Sequence, residues 1–308
     1  MGNIFQFSWE IRLIELFQEF ISNNLFLYHI FSFITLFGES YTTVMVMGLF
    51  YWYLDKNVGK TLARNMIFAQ LNNSMIKNLF SRIRPYVVND SIDCLKVVEP
   101  GYDIYDMNKQ GYSFPSGHAT NVSSIVFTLY NSLKRKKILL IGLIVVVLVS
   151  ISRFALGVHY PSDVIVGSLF GCLIVYVLAY LDKKIDKKIM YILLGLYALI
   201  GVFFCTSNDY YSTLGLYIGF VFGELFEEKF VNFKNTNNLL KGIIRTLLGG
   251  LLFIGISYVL KMPFDKEVLE AHNNFAYFYR VFRYGFTCFI VIGVYPILFK
   301  YNLLKLKD

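Results

Sequence analysis

The chain has 308 residues, 56% of them hydrophobic, with a mean hydropathy of +0.53 and a net charge of +8. Soluble domains carry about 25% charged residues, whereas this chain carries 16%. Its long apolar stretches recur from residue 25 to 300, which excludes an ordinary soluble globule and predicts an integral membrane protein. The basic excess points to topology rather than nucleic-acid binding, because 18 of the 29 Lys and Arg fall in five patches: 56–64, 134–137, 183–188, 229–245 and 300–307.

Residues 3–22 read as an amphipathic helix lying on the membrane surface. Met1–Glu10 has no basic region, so no cleavable signal peptide is expected. Residues 25–54 are apolar but broken at Gly38-Glu39-Ser40, enough for one crossing and a half-helix. A more polar crossing follows at 57–80, then the longest hydrophilic loop, 81–113. Further crossings are predicted at 116–133, 138–151 and 162–181. Four more candidates lie at 189–205, 211–226, 239–260 and 276–299. The fold class is therefore all-α, a polytopic membrane bundle of about 8–9 helices. Its expected parts are an interfacial segment (1–24), a catalytic membrane core (25–183) and additional C-terminal helices (184–308). The basic patches alternate with the other loops, so the positive-inside rule puts the patches and the 305–308 tail in the cytoplasm and the 81–113 loop outside.

Three short segments carry the chemistry. They are Lys77 with Arg84-Pro85 seven residues on, Pro115-Ser116-Gly117-His118, and Ser152-Arg153 followed by His159 and Asp163. Each lies where an apolar stretch meets water, and all three fall on the side opposite the basic patches. Ionisable groups at such depth are costly and tend to be functional. Lys77, Arg84 and Arg153 supply three cations, and Arg adds bidentate geometry towards phosphate oxygens. Ser116 and Gly117 begin a helix whose free N–H groups point at an anion. Asp163 could accept from one nitrogen of His159 and leave the other as an oriented nucleophile. His118 could protonate a leaving alkoxide. The His159–Asp163 offset would also suit a metal, but few carboxylates or cysteines are placed to complete a shell. Neither a metal nor another cofactor is expected.

These segments resemble the three-part signature of the type 2 phosphatidic acid phosphatase superfamily, a match spanning roughly residues 70–170. Phe37-Gly38-Glu39 and Tyr51-Trp52-Tyr53-Leu54-Asp55 further resemble the N-terminal part of sphingosine-phosphate phosphatases and their bacterial relatives. Those proteins often have Thr where this chain has Gly117. The resemblance implies His159 as nucleophile, Asp163 as its orienting partner and His118 as general acid. Lys77, Arg84, Ser116, Gly117 and Arg153 would hold the phosphate.

The expected function is metal-independent hydrolysis of a lipid phosphate or diphosphate through a phosphohistidine. The expected setting is a bacterial plasma membrane, with the site facing outward. A phosphotransferase would use the same residues. A transporter would want polar groups at the midplane, whereas these cluster at one face. Glu39, Gln70, Asn72 and Asn73 either line a polar path or satisfy one another between helices. A Cys94–Cys205 bridge is open on the sequence alone.

Overall fold

Helix starts in this chain are written in short polar residues. Asn24, Asp186, Ser207, Asn238 and Asn273 each accept a hydrogen bond from a backbone N–H of the following first turn, as expected of N-cap residues. The structure, a computed structural model, describes residues 6–97, 103–106 and 110–301. Among these residues it is all-helical. The main helices are α1 (Ser8–Ser22), α2 (Leu25–Thr35), α3 (Ser40–Leu49), α4 (Lys56–Phe80), α5 (Gly117–Leu133), α6 (Lys136–Ala155), α7 (Pro161–Leu181), α8 (Lys187–Ile200), α9 (Asn208–Phe226), α10 (Leu239–Lys261) and α11 (Asn274–Phe289). The chain breaks between α2 and α3 at the Gly38-Glu39 step, as the sequence predicts.

About 8–9 crossings are expected from hydropathy. Among the described residues four helical segments are long and apolar enough to span a bilayer: Lys136–Ala155, Pro161–Leu181, Leu239–Lys261 and Asn274–Lys300. A fifth arises if α1 and α2, bent by 119° at residues 23–24, count as one span. The physical reasons for the lower number are visible. α4 is 25 residues long but carries Lys56, Lys60, Arg64 and Lys77. α5 and α8 have 17 and 14 residues, short of the roughly 20 a full crossing needs. All four cysteines are free, so no Cys94–Cys205 bridge forms.

The chain forms two compact units. The first comprises residues up to Thr43 together with Asn72–Ala179; the second is Val44–Leu71 with the chain from Tyr180 onward. Both α3 and α4 thus begin in one unit and end in the other.

In the first unit, α5 and α7 pack through small residues. Thr120, Ser123 and Ser124 donate side-chain hydrogen bonds to the carbonyls of Gly167, Ser168 and Gly171. Such bonds contribute about 0.6 kcal/mol each between membrane helices. An apolar cluster of Ile14, Tyr86, Ile92, Phe154, Leu156, Val158 and Tyr160 lies around the α6–α7 turn. α1 covers it with Ile14 and turns Trp9, Leu16 and Phe20 outward.

In the second unit, ion pairs tie α4 to the residues just after α7 and α9, and α8 to α9. Lys60 meets Glu227 at 3.0 Å, Lys187 meets Glu224 at 2.6 Å, and Arg64 holds Asp182 at 2.6 Å.

Candidate active site

The three sequence segments converge in the first unit through four helix ends. Lys77 stands in the last turn of α4, and Arg84 three residues after Ser81. Ser116 caps α5. Arg153 lies in the last turn of α6, and Asp163 in the first turn of α7. Two contacts fix these ends together. The Ser116 N–H donates to the Asp163 carbonyl at 3.0 Å. Asn73 Nδ2 reaches the Pro115 carbonyl and Thr120 Oγ1 at 3.3 and 3.1 Å.

His159 sits in the short turn between α6 and α7. Gly157 makes that turn possible, because its φ of +74° is in the left-handed region and an added Cβ would lie 2.2 Å from the Asp93 carbonyl. His159 Nδ1 is 3.3 Å from Asp163 Oδ2, which also accepts from the Tyr160 N–H at 2.9 Å. Nδ1 is thereby engaged, and Nε2 is the other ring nitrogen. Burial, and then the charges of Arg84, Arg153 and Lys77 together with His118, push the His159 pKa well below its ordinary value. The ring is therefore neutral and able to act as a nucleophile near neutral pH.

The cations are held rigidly. Arg84 donates to the carbonyls of Gln110, Gly111 and Val158 at 2.7, 3.1 and 2.9 Å. Arg153 Nη1 donates to Thr35 Oγ1 at 2.6 Å, while its Nε is buried without a hydrogen-bond partner among the described residues. Among the described residues Ser116 Oγ is likewise buried and unpartnered, and the Ser116 side chain leaves the first turn of α5 uncapped. Buried polar groups are nearly always paired. Two orphans beside a helix N-terminus and three cations make a site suited to phosphate oxygens.

Sequence reasoning did not assign Arg82 and Glu10. Asp163 Oδ1 accepts from Arg82 Nη1 at 2.6 Å, and Arg82 Nη2 donates to Glu10 Oε2 at 2.8 Å. Glu10 Oε1 in turn accepts from the Ser162 N–H at 2.9 Å. All three charged side chains are essentially inaccessible. Arg82 also stacks on Tyr160, its guanidinium carbon 3.8 Å from the ring centroid. The only sequence hint for Arg82 is its place two residues before Arg84. Glu10 gives itself away only as an acid on the face of α1 shared with Ile14 and Gln18.

Glu39 and Lys96 also reach this region. Glu39 Oε1 is 3.1 Å from His118 Nε2. Lys96 follows Leu95, whose N–H donates to the Leu156 carbonyl at 3.1 Å. Burial first, then Arg153 and Arg84, lower the Lys96 pKa. Among the described residues no cluster of three or more His, Cys, Asp or Glu is disposed to hold a metal ion.

The PAP2 superfamily model matches residues 59–187, and a model of the transmembrane extension of PAP2 superfamily phosphatases matches residues 211–306. An undecaprenyl-diphosphatase of Sulfolobus acidocaldarius is 30% identical over 163 residues, covering 51% of this chain and 74% of that protein. Sphingosine-1-phosphate phosphatase 1 of Rattus norvegicus is 26% identical over 205 residues. That match takes in 63% of this chain and 45% of the rat protein. Among solved structures, a transmembrane PAP2-type phosphatidylglycerolphosphate phosphatase from Bacillus subtilis aligns with a TM-score of 0.40 and 24% identity. It covers 59% of this chain and 90% of that one.

Proposed function

Because the chain belongs to the PAP2 superfamily of membrane phosphatases, we propose that it hydrolyses a lipid phosphate or diphosphate through a covalent phosphohistidine at His159, without a metal. The observation that carries this reading is the state of His159: Nδ1 faces the Asp163 carboxylate, and burial among cations keeps the ring neutral.

In the first step Nε2 of His159 attacks phosphorus. The P–O bond to the lipid breaks, its electron pair stays on the departing oxygen, and His118 supplies the proton. Lys77, Arg84, Arg153, Ser116 and the N–H groups opening α5 at Gly117 neutralise charge on the three equatorial oxygens. In the second step water attacks phosphorus while His118 takes its proton, the P–N bond breaks with its electron pair returning to His159 Nε2, and phosphate leaves. Asp163 keeps the His159 tautomer and stabilises the cationic ring that phosphorylation creates. Lipid as substrate is supported by the membrane helices and by the lipid phosphates in the relatives' names. The basic Lys134–Lys137 run at the opposite end of α6 from Arg153 supports a site on the non-cytoplasmic face of the membrane.

The test is phosphate release by purified protein on undecaprenyl diphosphate, phosphatidylglycerol phosphate, phosphatidic acid and a sphingoid phosphate. Release that persists in excess EDTA, is blocked by vanadate and is abolished by His159→Ala is expected. A strict requirement for added divalent metal would replace this mechanism with metal-assisted hydrolysis. Phosphorylated alcohol product in place of free phosphate would make the protein a phosphotransferase.

A further inference from the structure

The break between α2 and α3 is built against His118. A Cβ added at Gly38 would lie 2.7 Å from the His118 Cβ, so only glycine lets the chain pass so close. Asn121 Nδ2, one turn along α5 from His118, donates to the Gly38 carbonyl at 3.3 Å. Three residues before the glycine, Thr35 receives Arg153. The next residue, Glu39, is extended and presents Oε1 3.1 Å from His118 Nε2. A broken apolar helix thus delivers a carboxylate to the one histidine of the site that faces no other acid within ion-pair distance among the described residues.

The charges around this pair show what the carboxylate does. Arg153 from α6 and Lys96 from the 89–97 segment both act on Glu39, and His118 faces the same two cations. His159 from the α6–α7 turn, which is neutral, and the Cys94 thiol, held up by burial, are further titratable neighbours. Burial first, then Arg153 and Lys96, push the His118 pKa down to about 4, and Glu39 works against them. A general acid must nevertheless hold a proton when substrate arrives. The contact from His118 is the first cause holding the Glu39 carboxyl down to about 2, so Glu39 is ionised throughout the working range.

We propose that Glu39 is a positioning residue for the general acid: it orients His118 and offsets Arg153 and Lys96, raising the fraction of His118 that carries a proton for the leaving oxygen. This rests on His118 acting as the acid. The proton balance is closed: His118 gives its proton to the alkoxide, regains one from the attacking water, and Glu39 stays ionised.

A leaving-group comparison tests it. Wild type, Glu39→Gln, Glu39→Asp, His118→Ala and the Glu39→Gln/His118→Ala double variant are assayed on phosphatidic acid and on p-nitrophenyl phosphate, whose phenolate departs without protonation. Glu39→Gln is expected to lower kcat on the lipid by about tenfold or more, within the range of general-acid contributions. On the aryl ester the loss should stay under about threefold, with KM little changed on either. The alkaline limb of kcat on the lipid should move to lower pH, and Glu39→Asp should recover part of the loss. The double variant should be no slower than His118→Ala alone, since Glu39 acts through that ring.

Equal losses on both esters, an additive double variant, or Glu39→Gln at wild-type rates on the lipid would each overturn the proposal. If His118→Ala itself slows both esters alike, the acid assignment falls, and Glu39's role falls with it. That outcome is distinct from one in which only the Glu39 arm fails. Thermal unfolding in detergent shows whether each variant is folded, and Glu39→Asp carries the comparison if the Gln variant is not.

Discussion

Arg82 stands between two carboxylates buried away from the surface. Glu10 and Asp163 are both fully buried and both bound to it. Removing one partner of a buried ionic group typically costs 3–5 kcal/mol, because the remaining charges are left uncompensated. Arg82→Ala is therefore expected to lose about that much stability, read as a lowered unfolding midpoint in detergent, and most of its phosphatase activity. Arg82→Lys should not rescue it, because an ammonium cannot reproduce the two-armed bridge. Near-wild-type stability for Arg82→Ala would show that the triad is dispensable.

A second residue-scale expectation concerns pH. The His159 pKa is lowered by burial and its cationic neighbours. The unfolded state therefore takes up its proton first as pH falls, and stability is lost below the ordinary histidine value. The folded enzyme keeps a neutral nucleophile there. Once the substrate's own second ionisation near pH 6 is allowed for, phosphorylation by p-nitrophenyl phosphate should not fall until well below pH 6.5. An acid limb at the ordinary histidine value would contradict a depressed His159.

The proposed catalytic groups are legible in the sequence because their types and spacings are chemically specific. Arg82, Glu10 and Glu39 were not legible as a set, since each acts on a residue far along the chain. Arg82 and Glu10 are 72 positions apart. Nothing in local pattern or propensity reports such a pairing.

At the scale of elements, the site depends on how tightly the α6–α7 turn closes. Gly157 takes a positive φ with the Asp93 carbonyl against it. Gly157→Ala combines a left-handed backbone, itself of order 1–3 kcal/mol for a non-glycine residue, with a steric clash. A loss of at least that size, and displaced activity with it, should appear in unfolding and turnover measurements. A variant as stable as wild type would mean the turn relaxes freely.

Hydropathy locates helices well: those predicted at 116–133, 162–181 and 239–260 appear as Gly117–Leu133, Pro161–Leu181 and Leu239–Lys261, of which the last two are long and apolar enough to span a bilayer. What hydropathy could not separate is a membrane crossing from a helix whose polar face is satisfied inside the protein. α4 is the example. Its Lys60 and Arg64 are buried, ion-paired side chains rather than loop charges. The association of residues 44–71 with the C-terminal helices follows from those pairings and from apolar contacts of Tyr51 and Trp52. The sequence holds no marker for it.

For the whole molecule, the chain is a PAP2-family phosphatase with an all-helical membrane architecture. Which way it faces rests on charge asymmetry. The 305–308 tail lies outside the described residues, so α6 offers the better probe. Its first residues, Lys136 and Lys137, are exposed, and Arg153 is at its far end. In a cysteine-free background, a cysteine replacing exposed Ser91 should react with an impermeant thiol reagent on intact cells. One replacing Lys136 should react only after the membrane is opened. The reverse pattern would turn the site towards the cytoplasm.

The mechanism itself turns on one bond. His118→Ala enzyme mixed with p-nitrophenyl phosphate, quenched in alkali to preserve phosphohistidine and digested for mass spectrometry, should carry phosphate on His159 and yield unlabelled protein when His159 is replaced by Ala. Phosphate on any other residue, or turnover by His159→Ala at a rate near wild type, would contradict nucleophilic catalysis by His159.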